Sequence, residues 1–207
     1  SNKKGKGVMV TECYSPVRGK VIRVTMLDAC GIPDPGASAV VVSKRISSVA
    51  IEEVTDSGTN IRERAFDDSL CIVDDAFEEV IGYTANTALC GVDPGLISLM
   101  TRQPVVLNAA GDIVGFDATT TVDLDNTAFA LEVWSRLAGS ACDASGFRKW
   151  GYTVFPFLKG GRLGGFSFEN GPVQFNIANA QSRDGNGWGS GPFDVDRDEA
   201  GNPIPLF

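Results

Sequence analysis

The 207-residue sequence contains no histidine, the residue that most often serves as a general base or as a neutral metal ligand. No segment has the GxxxxGK[ST] spacing of a phosphate-binding loop. No apolar run reaches the roughly 18 residues that a membrane-spanning helix needs, so no membrane span is predicted. We therefore expect no catalytic residues, no cofactor and no metal site, and the chain is predicted not to be an enzyme.

Cysteine is scarce, and its spacing follows no known framework. The five cysteines are Cys13, Cys30, Cys71, Cys90 and Cys142. Their number is odd and no two of them form a CxxC pair, which argues against a disulfide framework or a zinc site. We expect them to be buried, reduced thiols.

The charge is predominantly acidic and unevenly distributed. Residues 52–79 hold ten acidic residues and two arginines, while the first 20 residues carry a net charge of +4 and the last 24 a net charge of −4. The isoelectric point is about 4.6, and no basic stripe is interleaved with aromatic residues. A protein that binds nucleic acid tightly usually has such a stripe, so tight binding to DNA is not expected.

Turn-forming residues, in contrast, are plentiful: the sequence has 24 glycines and 10 prolines. Together with many short alternating segments they favour a mainly-β fold. A hairpin is predicted over residues 46–66, with its turn around Asp56, Ser57 and Gly58. Residues 126–137 are predicted to form a strand with Phe129 and Leu131 on one face and with Glu132 and Trp134 on the other.

The clearest hairpin signal is Asn170-Gly171, which separates two alternating runs. A two-residue turn at this position places Phe168 opposite Val173 and Phe166 opposite Phe175. This register puts the large apolar side chains on one face of the hairpin, so we expect residues 165–177 to belong to the core.

One helix stands out, over residues 93–102. Asp93 can cap its N-terminus and Pro94 suits the first helical position. Pro104 disfavours helical geometry at the residue before it. The apolar residues that we expect this helix to bury are Leu96, Ile97, Leu99 and Met100.

The two ends of the chain are predicted to be extended arms. We divide the sequence into an N-terminal arm (1–17), a β-rich body (18–183) and a C-terminal arm (184–207). The C-terminal segment is rich in glycine and proline and has only isolated apolar residues, so it cannot form its own core. The residues that would anchor the arms are Val8, Val10, Tyr14, Trp188, Phe193, Ile204, Leu206 and Phe207.

Five segments, in this order, carry a resemblance to a known family: RGKVIRVTMLDACGIP, CGVDPGLISLMTRQPVV, GFDATTTVDLDNTAFALEVWSRLAG, GYTVFPFLKGGRLGGFSFENG and DGNGWGSGPFDV. The sequence resembles the major tail proteins of long-tailed, noncontractile phages of actinobacteria. The similarity covers most of residues 18–195 and is weaker over the acidic residues 52–80.

The resemblance implies a β-sandwich or β-barrel of the tail-tube type with one short flanking helix. Six such subunits would form a ring, and stacked rings would form a tube through which phage DNA passes without specific binding. Inward strands would join into a continuous lining, and the arms and a long loop would connect the rings. The expected partners are further copies of the chain and other tail proteins at the tube ends. The expected location is the tail of the virion, assembled in the host cytoplasm.

In such a tube, an acidic lining would repel the phosphates of DNA. We therefore predict that residues 46–79 contribute to the lumen or to the contact between rings. The candidate residues are Glu52, Glu53, Glu63, Asp67 and Asp68. Because successive side chains alternate, Glu52 and Glu53 cannot share one face of a regular strand. An outer acidic surface that only keeps virions soluble is the alternative.

Proteins of other classes have the same β-rich composition. A head-decoration protein or a tail-terminator protein is one alternative. A carbohydrate-binding β-sandwich is another, in which Trp134, Trp150 and Trp188 would stack on sugar rings. For each tryptophan, packing in the core or anchoring of an arm is the competing role.

Overall fold

The structure, a computed structural model, describes residues 15–34, 39–138, 150–166, 168, 170 and 173–183. Within these residues the chain is mainly β, with one short α-helix. The helix α1 spans Pro94–Thr101, and a 3-10 turn spans Leu124–Asn126. The strands are β1 (Pro16–Leu27), β2 (Val40–Ser43), β3 (Ile46–Asp56), β4 (Ile61–Arg64), β5 (Leu70–Asp74), β6 (Glu79–Leu89), β7 (Val105–Leu107), β8 (Ile113–Phe116), β9 (Ala128–Leu137), β10 (Trp150–Lys159), β11 (Arg162–Leu163) and β12 (Phe175–Ser182). The predicted mainly-β class with one short flanking helix is confirmed.

The main sheet is continuous and antiparallel, in the order β2-β1-β9-β10-β12-β6-β3, with β11 as a further partner of β12. Five strand spacings separate β1 from β3 in this order, or about 24 Å in a flat sheet. Some Cα atoms of the two strands nevertheless lie within 8 Å of each other. The sheet is therefore rolled, and the roll encloses the apolar core.

Helix α1 lies against the concave side of this rolled sheet. The Asp93 carboxylate accepts a hydrogen bond from the Leu96 amide at 3.2 Å, and Pro94 occupies the first turn. The helix ends where Arg102 adopts a left-handed conformation at φ 58°, with its amide donating to the Ser98 carbonyl. The apolar residues predicted to be buried are all buried: Leu96, Ile97, Leu99 and Met100.

The turn between β10 and β11 approaches α1 so closely that only glycine fits. A Cβ atom on Gly161 would overlap the Met100 carbonyl oxygen and would press on the Phe129 ring. Gly160, beside it, has φ 77°, a conformation that other residues rarely adopt. This glycine pair allows the sheet and the helix to share one core.

The predicted register of the hairpin over residues 165–177 is wrong by one residue. Leu163 pairs with Ile177, so the alignment is centred on Asn170 rather than between Asn170 and Gly171. Phe168 is consequently 77% exposed. The expectation that Phe168 belongs to the core is therefore wrong.

The shift has a packing cause. In the predicted register Gly164 would lie opposite Ile177, whereas the observed register places Leu163 there, in contact with the core. Leu163 is partly buried against the core, and this apolar contact, which a glycine cannot make, favours the observed register. Phe166 still packs on Phe175, with ring centroids 4.8 Å apart.

The predicted hairpin over residues 46–66 is also wrong. β3 pairs with β6, while β4 pairs with β5. The turn signal at Asp56, Ser57 and Gly58 marks an interruption in a longer ribbon, and Gly58 has φ 58° there. The Gly58 amide donates to the Asp56 carboxylate at 3.2 Å. The turn signal thus marks a local kink in the ribbon. The chain reverses its direction only at residues 65–69.

The centre of the sheet is buried on both faces, which the sequence had not indicated. Glu132 is fully buried and accepts hydrogen bonds from the Arg23 guanidinium and, at 2.7 Å, from the Tyr152 hydroxyl. The Arg23 guanidinium lies 5.3 Å from the centre of the Trp134 ring. Around Glu132, therefore, the second face of β9 is a polar core and not a solvent-exposed surface.

Three cysteines lie in the described residues: Cys30, Cys71 and Cys90. They are free thiols, but all three are exposed, so the expectation of burial is wrong for them. Cys71 lies on the exposed strand β5, where no core is available to cover it. Cys13 and Cys142 lie outside the described residues. No helix in the described part of the chain is long and apolar enough to cross a membrane.

Candidate assembly surface

The most prominent surface feature is a long antiparallel ribbon that extends beyond the rolled sheet. Asp56 pairs with Glu79 at the end of β3 and β6. After an interruption of four residues in each strand, Ile61 pairs with Asp74, so that β4 and β5 continue the same alignment. We call residues 57–78 the distal hairpin.

The distal hairpin packs on nothing in the described part of the chain. All residues of β4 and β5 are exposed. The apolar side chains that remain in water include Ile61, Phe66, Leu70, Ile72, Val73 and Phe77, with Phe66 and Phe77 114% and 85% exposed. Monomeric proteins seldom leave so many large apolar groups together in solvent, and such patches commonly mark interaction sites.

The hairpin has defined local structure despite its exposure. At its tip the Ala65 amide donates to the Ser69 carbonyl at 2.8 Å, and the Arg64 guanidinium donates to the Asp68 carbonyl at 2.7 Å. The Asp67 carboxylate accepts from the Ser69 hydroxyl at 2.6 Å and from its amide at 3.1 Å. These hydrogen bonds lower the pKa of Asp67. The turn therefore holds the Asp67 carboxylate in place at the tip, next to the exposed Asp68.

Polar contacts also connect the hairpin across the interruption. The Ala76 amide donates to the Asn60 side chain at 2.8 Å, and the Thr55 hydroxyl donates to Glu78 at 2.7 Å. Arg62 forms an exposed ion pair with Asp75 at 2.9 Å. The two halves of the ribbon are thus joined by side chains where the ladder of backbone hydrogen bonds stops.

The structure places the predicted acidic residues in two groups. Glu52 and Glu53 are exposed neighbours on β3 and point to opposite faces, as alternation requires. Glu63 lies on β4, and Asp67 and Asp68 lie in the turn that follows it, so these three belong to the distal hairpin. The predicted arm anchors Val8, Val10, Tyr14, Trp188, Phe193, Ile204, Leu206 and Phe207 all lie outside the described residues.

The sheet face opposite the core is polar and made of small residues along β3, β6 and β12. Val49 and Ile51 of β3 pack into the core, so Ala50 and Glu52 between and beyond them face outward. On the neighbouring strand, Ala85 and Thr87 are buried and Asn86 faces outward. The outward positions Ala50, Glu52 and Asn86 are therefore small or polar, and this part of the face is wetted easily.

Sequence reasoning missed a basic pocket at the base of the hairpin. Lys159, Arg162 and Arg183 line a cavity of about 290 Å³ together with Asn179 and Gln181. They lie at the end of β10, on β11 and just after β12, so only the pairing of these strands brings them together. No local sequence pattern connects them, because the three positions span 25 residues and two turns.

The pocket is close to the root of the hairpin. The residue before Arg183 is Ser182, whose hydroxyl accepts a hydrogen bond from the Tyr83 amide at 2.8 Å. Tyr83 lies on β6, four residues after that strand begins at Glu79. We call this cavity the root pocket.

Two further cavities are lined by apolar residues. One of about 400 Å³ runs beside α1, between Leu99, Val41 and Ile113. The other, of about 520 Å³, is lined by Trp150 and Tyr152 among others. In the described part of the chain no three side chains of the metal-ligating types come together.

The tryptophans were candidates for stacking on sugar. Trp134 is 9% exposed and packs against Tyr152 at 5.2 Å between ring centroids, so its role is in the interior. Trp150 is partly exposed, and Trp188 lies outside the described residues. Two exposed, coplanar aromatic rings, as a sugar platform would need, are not found among the residues that the structure describes.

Fold and surface together define a mainly-β protein with a projecting acidic and apolar hairpin. Comparison of the sequence with models of known protein families gives no match, and comparison with curated proteins gives none either.

Proposed function

We propose that this protein is a major tail-tube subunit of a long-tailed, noncontractile phage, which polymerises as stacked hexameric rings around a channel for genome delivery. The proposal starts from the resemblance of the five sequence segments to phage tail proteins. The structural observation that supports it most directly is the distal hairpin. Its apolar side chains have no partner within the described chain, so the hairpin suits contact with another molecule.

Both edges of the main sheet support self-assembly. β2 and β3 are the edge strands, and an edge strand presents unpaired backbone groups that can pair with another chain. Ring closure through such edges would join the sheets of neighbouring subunits. The small polar face with Glu52 suits a lining past which DNA moves without being held. The protein would then be a structural component of the virion tail, with other tail proteins at the tube ends.

The test is direct imaging of the assembly. The full chain is purified and examined by negative-stain electron microscopy and by sedimentation over a range of concentrations. We expect rings or tubes with a central channel. A particle that stays monomeric at every concentration contradicts the proposal, and a monomer that binds glycans favours the carbohydrate-binding alternative.

A pair of variants tests whether the hairpin carries the contacts. In the variant Phe66→Ser with Phe77→Ser, both substituted side chains are exposed, so the unfolding free energy should change by less than about 1 kcal/mol. Assembly should require at least about tenfold more protein, since each lost apolar contact of this size is worth about 1.5–3 kcal/mol when buried. The control Phe168→Ser removes a phenylalanine outside the hairpin that is 77% exposed, and it should assemble normally. Equal assembly of both variants would show that the hairpin is not the contact.

A further inference from the structure

We propose that the root pocket binds the acidic turn of the distal hairpin of a second copy of this chain. The pocket would receive the carboxylates of Asp67 and Asp68 through Lys159, Arg162 and Arg183. This inference rests on the proposed self-assembly and names the site through which one contact between subunits is made.

The root pocket has positive charge without a paired negative charge in the described part of the chain. Among the described residues, none of its three cations forms an ion pair. The Lys159 ammonium donates only to the Ala29 carbonyl at 3.4 Å and lies 5.4 Å from the centre of the Phe157 ring. The pocket lining thus carries three positive charges without an ion-pair partner among the described residues, and a bound carboxylate would add charge-assisted hydrogen bonds.

The tip of the distal hairpin offers a matching anion. Asp67 and Asp68 are adjacent and exposed, and hydrogen bonds from Ser69 hold Asp67 in its ionised form. Asp68 has φ 63°, which turns the chain sharply and brings both carboxylates to the end of the ribbon. Phe66, beside them, is fully exposed and would be covered on docking.

The tip and the root pocket of one chain lie at opposite ends of the ribbon. About 11 residues separate Asp68 from Glu79, which corresponds to roughly 37 Å of extended strand. The exposure of every β4 and β5 residue excludes a hairpin folded back onto the described body. Contact between tip and root pocket therefore joins two molecules.

This contact is head-to-tail, because each chain has one tip and one pocket. Heterologous contacts of this kind generate open stacks or closed rings. If the hairpin stays extended, successive molecules linked in this way are displaced by about the distance from the tip to the pocket beside Tyr83, roughly 50 Å for 15 residues of strand. Duplex DNA fits the pocket less well, because three cations in one compact cavity match one or two carboxylates rather than a row of phosphates.

The experiment uses charge reversal in the full chain. One variant combines Arg162→Glu with Arg183→Glu, a second combines Asp67→Lys with Asp68→Lys, and a third carries all four changes. We expect the first two to need at least tenfold more protein for half-maximal assembly, measured by sedimentation. The four-fold variant should recover assembly at near wild-type concentration. The control Arg18→Glu with Lys20→Glu makes the same change in net charge at exposed positions of β1, outside the pocket, the hairpin and the edge strands, and should assemble as the wild type does.

A zero-length carbodiimide cross-link identifies the partner directly. In a mixture of isotope-labelled and unlabelled wild-type chains, we expect an amide bond between Lys159 of one copy and Asp67 or Asp68 of another, found by mass spectrometry. Lys159→Arg removes the reactive amine and should abolish that cross-link, which identifies Lys159 as its site.

The outcomes separate this inference from the proposed function. If the Arg162→Glu, Arg183→Glu variant assembles normally and wild-type chains do not form the cross-link, the inference that the pocket binds the hairpin tip is wrong. The tail-tube proposal would not be affected by that result. A wild-type chain that never assembles overturns both. Binding of duplex DNA that the same variant loses would assign the pocket to phosphate and would also overturn the inference.

Discussion

Removal of the buried carboxylate of Glu132 should be among the most destabilising single changes in the described part of the chain. Glu132 is 0% exposed and Arg23 is 3% exposed. The carboxylate accepts two hydrogen bonds from the Arg23 guanidinium and one from the Tyr152 hydroxyl. Glu132→Ala deletes all three and leaves the guanidinium buried without this carboxylate. Breaking a buried pair in this way lowers the unfolding free energy by about 3–5 kcal/mol. This is a large part of the roughly 5–15 kcal/mol that stabilises a typical domain.

The measurement is urea unfolding followed by tryptophan fluorescence, below the concentration at which the chain assembles. Trp134 lies beside the Arg23 guanidinium and reports on the same region. The matched control is Asp75→Ala, which breaks the ion pair with Arg62, whose two side chains are 60% and 57% exposed. Because solvent screens that ion pair, we expect Asp75→Ala to lower the unfolding free energy by less than about 1 kcal/mol.

The double variant Arg23→Met with Glu132→Leu removes both charges at once. It should unfold less readily than Glu132→Ala, because no ionised group is left without its partner. A loss of unfolding free energy below about 1 kcal/mol in Glu132→Ala would refute the proposed role of the buried pair. The proposed coupling is also refuted if the unfolding free energy lost in the double variant equals the sum of the losses in Arg23→Met and Glu132→Leu measured separately. The two residues would then be independent.

Three further predictions concern single positions. Asp93→Ala removes the cap of α1 and should lower the unfolding free energy by about 0.5–2 kcal/mol in urea unfolding, with no loss at all as the contrary result. Gly161→Ala forces a methyl group against the Met100 carbonyl and should lower the melting temperature through about 1–3 kcal/mol of overpacking. The pKa of Asp67, followed by NMR, should be below its ordinary value and should rise in Ser69→Ala. The turn therefore keeps this stabilisation at neutral pH and loses it as the pH falls through the lowered pKa. An unchanged pKa in Ser69→Ala would contradict the assignment.

The features that could be predicted from the sequence are those with local causes. Helix α1 was predictable because its cap at Asp93, its proline at Pro94 and its apolar face all lie within one short segment. The mainly-β class followed from alternation and from the many turn residues. Asn170 does lie at a chain reversal, but the packing of Leu163 moved the register by one residue.

The features that could not be predicted depend on contacts between distant segments. The turn signal at Asp56 predicted a local hairpin, yet β3 pairs with β6 because the ribbon continues to residues 65–69. The sequence pattern placed Glu132 and Trp134 on one face of a strand but did not show that this face is buried, and the pairing of Glu132 with Arg23, 109 residues earlier, explains its burial. The acidic residues of the candidate site were predicted from charge alone, whereas the root pocket required the pairing of three strands.

The strand order of the sheet also has a consequence for synthesis of the protein on the ribosome. β6 is complete at Leu89, but its other neighbour, β12, begins only at Phe175. At about 5–20 residues per second, the interval lasts roughly 5–20 s, during which one edge of β6 is unpaired. Neighbouring nascent chains on a messenger RNA could pair through such edges and aggregate. The ten acidic residues of segment 52–79 lie on and beside this ribbon, so growing chains repel one another until the sheet closes.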